Sequence, residues 1–347
     1  MKESVIFTTE EAQQFQIFFI ILSSPWILQF LGQFSTAGII RATKRPSLGE
    51  IRAKRTNLFD IELKRQQALI TRLEKIEVVY EGQPEDCTVV VNKDVSTPFN
   101  CAQHMSELLT TRSIVAEVNG ELWDMHRPLE GNCVLKLLHM KVGDPHHAAM
   151  VNKTFWRSCS FILGAVIESS FNENACAVLH SFPSANVRSG SFIYDVHLGL
   201  DDWQPTQDEY RKLAAAMVKF CSQNHRIQRL EVDIPLALKM FEDNIYKSQQ
   251  IPQIAVQSST GKAITVYRVG DHIDISRGPM ISSTKQIGRC SIAKVSYVSV
   301  HKLDDLYRFQ GVALPADLYL NHFAFGILES RARKMNPARI PELRTSG

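Results

Sequence analysis

The stretch Val115–Leu138, which reads VAEVNGELWDMHRPLEGNCVLKLL, decides the fold of the part of the chain around it. Apolar and polar residues alternate on both sides of Asn119-Gly120, and this dipeptide favours the positive φ angles of a two-residue hairpin turn. The segment therefore predicts a β-hairpin. Its last residues, LEGNCVLKLL, predict a further strand.

Working outward from this hairpin, two more strands precede it. They are IEVVYEG at 76–82 and CTVVVNK at 87–93, and Pro98 stands near the start of a helix that follows them. Five short strands around one helix within residues 76–141 predict a ubiquitin-like β-grasp domain.

The remaining chain predicts a larger α+β domain over residues 145–335. Residues 144–147 read as a linker, residues 151–171 as a largely buried helix, and residues 314–335 as a final helix. Thr206 with Glu209 three positions later predicts a capping box at the start of another helix. Strands are expected at 187–198, 263–269 and 289–299, a helix from Pro235 to Tyr246, and a short tail at 336–347.

Charge is concentrated in one segment of the 347-residue chain, whose net charge is only +3. Residues 41–75 hold 10 Lys and Arg against 4 Asp and Glu, and they include a predicted surface helix at 58–75. Such a basic extension suits a polyanion, because each neutralised phosphate releases counterions. A solvated charged helix is the alternative. The residues expected to contact RNA phosphates are Arg41, Lys44, Arg45, Arg52, Lys54, Arg55, Lys64 and Arg65.

The N-terminus favours an organelle presequence over residues 1–40, with a secretory signal as an alternative that the odd number of cysteines disfavours. Positions 12–49 contain no Asp or Glu, and the apolar stretch 15–34 is interrupted by Ser23, Ser24 and Pro25. A membrane helix needs about 20 predominantly apolar residues, so no membrane anchor is expected in the mature chain. The seven cysteines form no C-x-x-C pair, so no zinc ribbon or disulfide framework is indicated.

Four segments occur in the order found in the threonyl-tRNA synthetases. The hairpin segment 115–138 resembles the TGS domain, a β-grasp module associated with RNA. RSCSFILGAVIESSF, GSFIYDVHL and YRVGDHIDISRGPM resemble parts of the domain with which these enzymes edit mischarged tRNA, and residues 308–340 resemble the segment that follows it. The resemblance covers roughly residues 76–340 and implies a TGS domain followed by an editing-like domain.

The resemblance also indicates what this chain has lost. Editing domains carry two histidines on the helix, and a cysteine and a histidine around the Arg-Gly-Pro turn. Aligned through Cys159 and Gly164, and through Arg277 to Pro279, these positions hold Arg157, Phe161, Ser276 and Met280. Phenyl and thioether groups transfer no proton, so no catalytic residue, metal or cofactor is expected.

The resemblance therefore implies a non-catalytic relative of the synthetases, of the kind that serves as a structural protein of the mitochondrial large ribosomal subunit. The expected partners are large-subunit rRNA and neighbouring ribosomal proteins, in the mitochondrial matrix. Two alternatives stay open: a free-standing tRNA-editing hydrolase, and a TGS-containing RNA-binding regulator.

Some residues have both a functional and a structural interpretation. Asp274 and Arg277 are expected to hold their turn, with Arg277 paired to an acid, rather than to contact RNA. His146 and His147 are expected to be exposed linker residues rather than metal ligands. For His180, a satisfied surface or core histidine is expected rather than a general base.

Overall fold

A computed structural model of the chain describes residues 46–171, 177–200, 203–258, 261, 263–298 and 306–340. The presequence predicted over residues 1–40, and Arg41, Lys44 and Arg45, lie outside these residues. The predicted hairpin turn forms: Asn119 and Gly120 have φ angles of 50° and 85°, and Val118 pairs with Glu121 on either side of them.

The β-grasp part is one mixed sheet with its helices packed on one face. Its strand order is β2-β1-β5-β3-β4, with β1 parallel to β5 and the other neighbours antiparallel. The buried side chains of alternate strand positions meet the helices in a core of their own. The elements are β1 (Lys75–Tyr80), β2 (Cys87–Asn92), α2 (Pro98–Met105), α3 (Glu107–Arg112), β3 (Ser113–Val118), β4 (Glu121–Trp123) and β5 (Cys133–His139).

A helix precedes this sheet and starts ten residues before the predicted one. Helix α1 spans Leu48–Ala68 and begins with a capping box, in which Ser47 and Glu50 satisfy each other's free backbone N–H groups. Phe59 on its inner face is fully buried against the second part of the chain. The described part of the basic extension is therefore a docked helix.

The second part contains two antiparallel sheets and a long helix. One sheet has the order β11-β12-β7-β6 and the other the order β10-β9-β8. The elements are α4 (Pro145–Ser170), β6 (Val178–Ser181), β7 (Phe192–His197), α5 (Gln207–Ser222), β8 (Ile227–Asp233), α6 (Ile234–Met240), α7 (Ile245–Val256), β9 (Ala263–Val269), β10 (His272–Ile275), β11 (Ile287–Val298), β12 (Leu306–Pro315) and α8 (His322–Ala332).

Helix α4 is the central element, and it begins earlier than the sequence predicts. The side chain of Asp144 accepts a hydrogen bond from the backbone N–H of His147, and Pro145 occupies the first turn. Residues 144–147 are thus a helix start, not a linker. The helix joins the two parts, because Val151 and Phe155 share one hydrophobic core with Ile114, Val115 and Leu138 of the β-grasp sheet.

Two other expectations are wrong in detail. The helix predicted over 314–335 is shorter, His322–Ala332, and is preceded by strand β12, in which all ten residues are buried. The helix predicted from Pro235 to Tyr246 is two helices, α6 and α7, separated at Phe241–Asn244. None of the helices among the described residues is both long and apolar enough to span a bilayer.

Candidate functional site

The Arg-Gly-Pro turn is fixed by the β-grasp part. Asp124, which follows β4, accepts hydrogen bonds from the backbone N–H of Met280 at 2.8 Å and from the hydroxyl of Tyr267 at 2.8 Å. Gly278 has a φ of 63°, and a Cβ there would lie 1.8 Å from the Tyr267 hydroxyl. Only glycine fits this close approach without displacing the aromatic ring.

Helix α4 lies directly against this turn, so the structure brings the predicted helix and turn positions together. The guanidinium of Arg157 donates to the carbonyl of Pro279 at 3.1 Å. The hydroxyl of Ser158 accepts from the backbone N–H of Ile281 at 2.9 Å and lies 3.5 Å from the sulfur of Met280. These contacts close the space between helix and turn with the chain's own groups.

The four replaced positions support packing, not proton transfer. Phe161 and Met280 are 0% and 1% exposed, and the Phe161 ring meets Tyr267 edge-on with centroids 6.3 Å apart. The hydroxyl of Ser276 accepts from the backbone N–H of Gly278 at 3.3 Å. Within the described ranges, no three His, Cys, Asp or Glu side chains form a group that could hold a metal ion.

A buried ion pair lies next to this turn. The ammonium of Lys247 on α7 is 2.5 Å from a carboxylate oxygen of Asp274 and 3.2 Å from the hydroxyl of Tyr194. That hydroxyl donates to the other oxygen of Asp274. Burial, reinforced by the Asp274 carboxylate, raises the pKa of Tyr194, so it stays a neutral donor. The cluster joins α7, β7 and β10 and carries no net charge.

A second buried cluster fastens α1 to α4 and β10. One oxygen of Glu168 lies 3.0 Å from the guanidinium of Arg55, and the other lies 2.7 Å from Nδ1 of His272. Burial by itself would raise the pKa of Glu168, but His272 and Arg55 outweigh it and hold the pKa at about 2. Arg55 also pairs with Asp243 and donates to the carbonyl of Met240.

The predicted RNA-contacting residues of α1 therefore separate into two sets. Arg55 is 4% exposed and its donors are used inside the protein, so the prediction that it contacts RNA is wrong for this structure. Arg52 pairs with Asp271, Lys54 with Glu242, and Arg65 with Glu62. Lys64 is exposed.

The structure also tests the expectations for His180, Arg277 and His147. His180 is a core histidine, as expected, but only one of its ring nitrogens is satisfied: Nδ1 lies 2.8 Å from the Ser181 hydroxyl, and Nε2 is buried without a hydrogen-bond partner. Burial together with nearby Lys247 lowers its pKa to about 4. Arg277 contacts the side chain of Gln257, so the expected acidic partner is wrong. His147 is not an exposed linker residue, because its Nε2 lies 2.9 Å from Glu117.

Sequence reasoning missed Asp124, Lys247 and Tyr194 as residues that shape the site. Asp124 has a local signal, since it is a carboxylate placed at the end of a strand where apolar alternation stops. Lys247 has a weaker one, since Ile251 and Ile254 follow it at helical spacing, so the lysine lies on the face of its helix that is buried.

Comparison with known proteins agrees with the two-part architecture. A family model for the TGS domain matches residues 83–139. The threonine–tRNA ligase 2, cytoplasmic, of Homo sapiens is 30% identical over 223 residues, which are 63% of this chain and 25% of that protein. The probable threonine–tRNA ligase 1, cytoplasmic, of Dictyostelium discoideum is 29% identical over 245 residues, 70% of this chain and 32% of that one. These matches extend well beyond the TGS domain. The chain therefore contains a TGS domain and is similar to a segment that makes up 25% and 32% of the two ligases.

The large ribosomal subunit protein mL39 of Drosophila melanogaster is far more similar. It is 50% identical to this chain over 296 residues, which are 83% of this chain and 86% of that protein. The chain belongs to the mL39 family of large ribosomal subunit proteins.

Proposed function

We propose that this chain is a structural constituent of the mitochondrial large ribosomal subunit and not an enzyme. The observation that carries the proposal is the 50% identity to a large ribosomal subunit protein over 83% of this chain, which includes both the β-grasp part and the second part. Identity at this level over both parts favours a shared role, because the matched region is nearly the whole of that relative.

The geometry around Arg157, Phe161, Ser276 and Met280 supports the proposal that the chain is not an enzyme. Phe161 and Met280 are buried where the family resemblance implies histidines, and Arg157 and Ser276 are bound to the turn itself. The space between helix and turn is filled by these side chains, and none of the four replaced residues is a general acid or base of the kind that the family resemblance implies. The domain at 145–335 is then retained for its shape and surface.

The partners we propose are large-subunit rRNA and neighbouring ribosomal proteins in the mitochondrial matrix. The proposed phosphate contacts are Arg41, Lys44 and Arg45 with the exposed Lys64, joined at the edge of α1 by the paired residues Arg52, Lys54 and Arg65. Phosphate contacts of this kind position a protein without reading sequence. Residues 1–40 are proposed as the presequence and residues 76–141 as the TGS domain.

Sedimentation of a mitochondrial lysate tests the proposal. Epitope-tagged chain should travel with the large subunit in a sucrose gradient, before and after the subunits are separated by magnesium depletion. A small-subunit protein and a soluble matrix enzyme serve as markers. Sedimentation with free matrix protein would contradict the proposal. Sedimentation with cytosolic polysomes would also contradict it and would favour a regulator outside the mitochondrion.

A tRNA-editing hydrolase is the second candidate, because the ligases are related and the buried Lys247–Asp274 pair lies beside the turn. The full chain should not accelerate hydrolysis of Ser-tRNA above the buffer rate, with an editing-competent threonine–tRNA ligase as the positive control. Turnover by the full chain that is lost in Lys247→Met would overturn the non-catalytic assignment.

A further inference from the structure

A cavity of about 560 Å³ lies between the β-grasp part and the second part, and its lining includes none of Arg277, Gly278 and Pro279. Arg112, His126 and Phe99 line it from the β-grasp side, and Arg226, Lys285 and Tyr319 line it from the other side. Its volume falls within the range of small-molecule sites, which is roughly 300–1,000 Å³.

The cavity is lined by cations that lack anionic partners. Across the described residues, no carboxylate lies within 4.0 Å of the charged nitrogens of Arg112, Arg226 or Lys285, whereas Arg55, Arg229 and Arg308 are ion-paired. Arg226 and Lys285 are exposed, and Arg112 is half-buried. Asp317 is the single acidic residue of the lining. The Nε of Arg112 is buried without a hydrogen-bond partner. Three cations around one cavity suit an anion, and a partner would also satisfy the buried Nε of the half-buried Arg112, whose lack of a hydrogen bond costs free energy.

His126 adds an unsatisfied nitrogen to the same wall. Its Nδ1 is buried without a partner, and its ring lies 4.6 Å from that of Phe99. Burial and the charge of Arg226 lower the pKa of His126 to about 4, so the ring is neutral and Arg226 repels its protonation. An anion bound beside Arg226 would offset this repulsion.

The rim of the cavity adds an aromatic surface. Tyr319 is 90% exposed and belongs to the cavity lining. Leu108, which is 61% exposed, and Ile114 give the wall an apolar portion. Free phosphate does not stack on an aromatic ring, whereas an unpaired nucleic-acid base does. Such stacking tolerates any base.

We propose that this cavity binds one unpaired nucleotide of a single-stranded RNA segment, with its phosphate on Arg112, Arg226 and Lys285 and its base against Tyr319. The identification of the polymer as RNA rests on the proposed ribosomal function. The affinity of the cavity for an anion and of Tyr319 for a flat ring is argued from the structure alone. No residue of the basic extension lines the cavity, so the site is a second RNA contact, separate from the one proposed for α1.

Fluorescence anisotropy of the purified full chain with a labelled single-stranded RNA of about ten nucleotides tests this proposal. Arg226→Gln with Lys285→Gln should weaken binding about tenfold at 0.15 M salt and lower the slope of log affinity against log salt by about 1.4, since each phosphate contact to a single strand contributes about 0.7. Lys153→Gln with Lys239→Gln removes the same charge from other exposed positions and should leave both quantities at the wild-type values.

Tyr319→Ala should weaken single-stranded binding about tenfold with an unchanged salt slope, because stacking is not ionic, and should leave binding to duplex RNA unchanged. Melting temperatures of all variants should match that of the wild type. Equal affinities for the Arg226/Lys285 variant and its charge-matched control would overturn the proposal. So would wild-type chain that binds a phosphopeptide but no RNA. Either result can occur in a chain that sediments with the large subunit, so the ribosomal proposal is tested separately.

Discussion

At the residue scale, Gly278 shows how closely this chain packs at the Arg-Gly-Pro turn. Its φ of 63° is strained for other L-residues, and a Cβ would collide with Tyr267, whose hydroxyl is held by Asp124. Gly278→Ala should lower the free energy of unfolding by about 2–4 kcal/mol. Gly131→Ala is the control, since a Cβ at Gly131 meets nothing within 4 Å. Urea titration measures both, and equal stabilities would show that the turn is loose.

The Lys247–Asp274 pair makes a second residue-scale prediction. Lys247→Met removes the cation and leaves Asp274 buried with only the Tyr194 hydroxyl and a backbone N–H as donors. The free energy of unfolding should fall by about 3–5 kcal/mol. Lys247→Met combined with Asp274→Asn should recover a large part of this loss, because no buried charge then lacks a partner. A double variant no more stable than the single one in chemical denaturation would contradict this account.

His180 predicts an acid dependence of stability. The folded chain holds the imidazole neutral with a pKa of about 4, against an ordinary value of 6.5, because burial and Lys247 disfavour its charge. The stabilisation is complete above pH 6.5 and is lost as the pH falls toward 4, since the unfolded chain takes up the proton first. Between pH 7.5 and pH 5.0 the contribution of His180 falls by about 2 kcal/mol. His180→Asn should flatten the measured pH dependence by that amount, and an unchanged slope would refute the assignment.

At the element scale, helix α1 has a buried side and an exposed side that its sequence does not separate. Phe59→Ala should cost about 3–4 kcal/mol, since the side chain is fully buried and the Arg268 guanidinium stacks over its ring at 4.3 Å. Ile61→Ala, on the exposed side of the same helix, should change stability by less than about 0.5 kcal/mol. Thermal unfolding of both variants measures the difference, and similar losses would mean that α1 is not docked as described.

The basic residues of α1 divide along the same line. Arg55→Gln should destabilise the fold by about 3 kcal/mol, because Glu168 and Asp243 would lose their shared cation. Lys64→Gln should leave the melting temperature unchanged and weaken binding of the chain to large-subunit rRNA in a filter-binding assay. Loss of rRNA binding without loss of stability in Arg55→Gln would restore Arg55 to the RNA-contacting set.

The sequence predicted those elements that are determined by a few neighbouring residues. The hairpin at Asn119-Gly120 and the capping box of Thr206 and Glu209 depend on a few neighbouring residues, and both form. Strand β12 was missed because it is buried on both faces and shows no alternation. The residues of the candidate site could be located only through the family resemblance. The Asp124 and Lys247 contacts could not be predicted at all, because they join segments more than 20 residues apart, and spacing in the sequence does not reveal such contacts.

At the scale of the whole molecule, the two parts form one packed body. Asp124 fixes the turn of the second part, and the core around α4 includes side chains of the β-grasp sheet. The contacts around the Arg-Gly-Pro turn and α4 therefore stabilise the arrangement of the two parts. This agrees with membership of a family of large ribosomal subunit proteins in a chain that is also 30% identical to part of a threonine–tRNA ligase.

Quantitative mass spectrometry of large ribosomal subunits purified from mitochondria through moderate salt tests the central claim most directly. The account predicts that this chain is present in the same molar amount as the established proteins of that subunit, and that the amount is unchanged by Met280→Leu, which preserves the packing of the filled site. A chain that is absent or far below stoichiometric amounts in intact large subunits would contradict it.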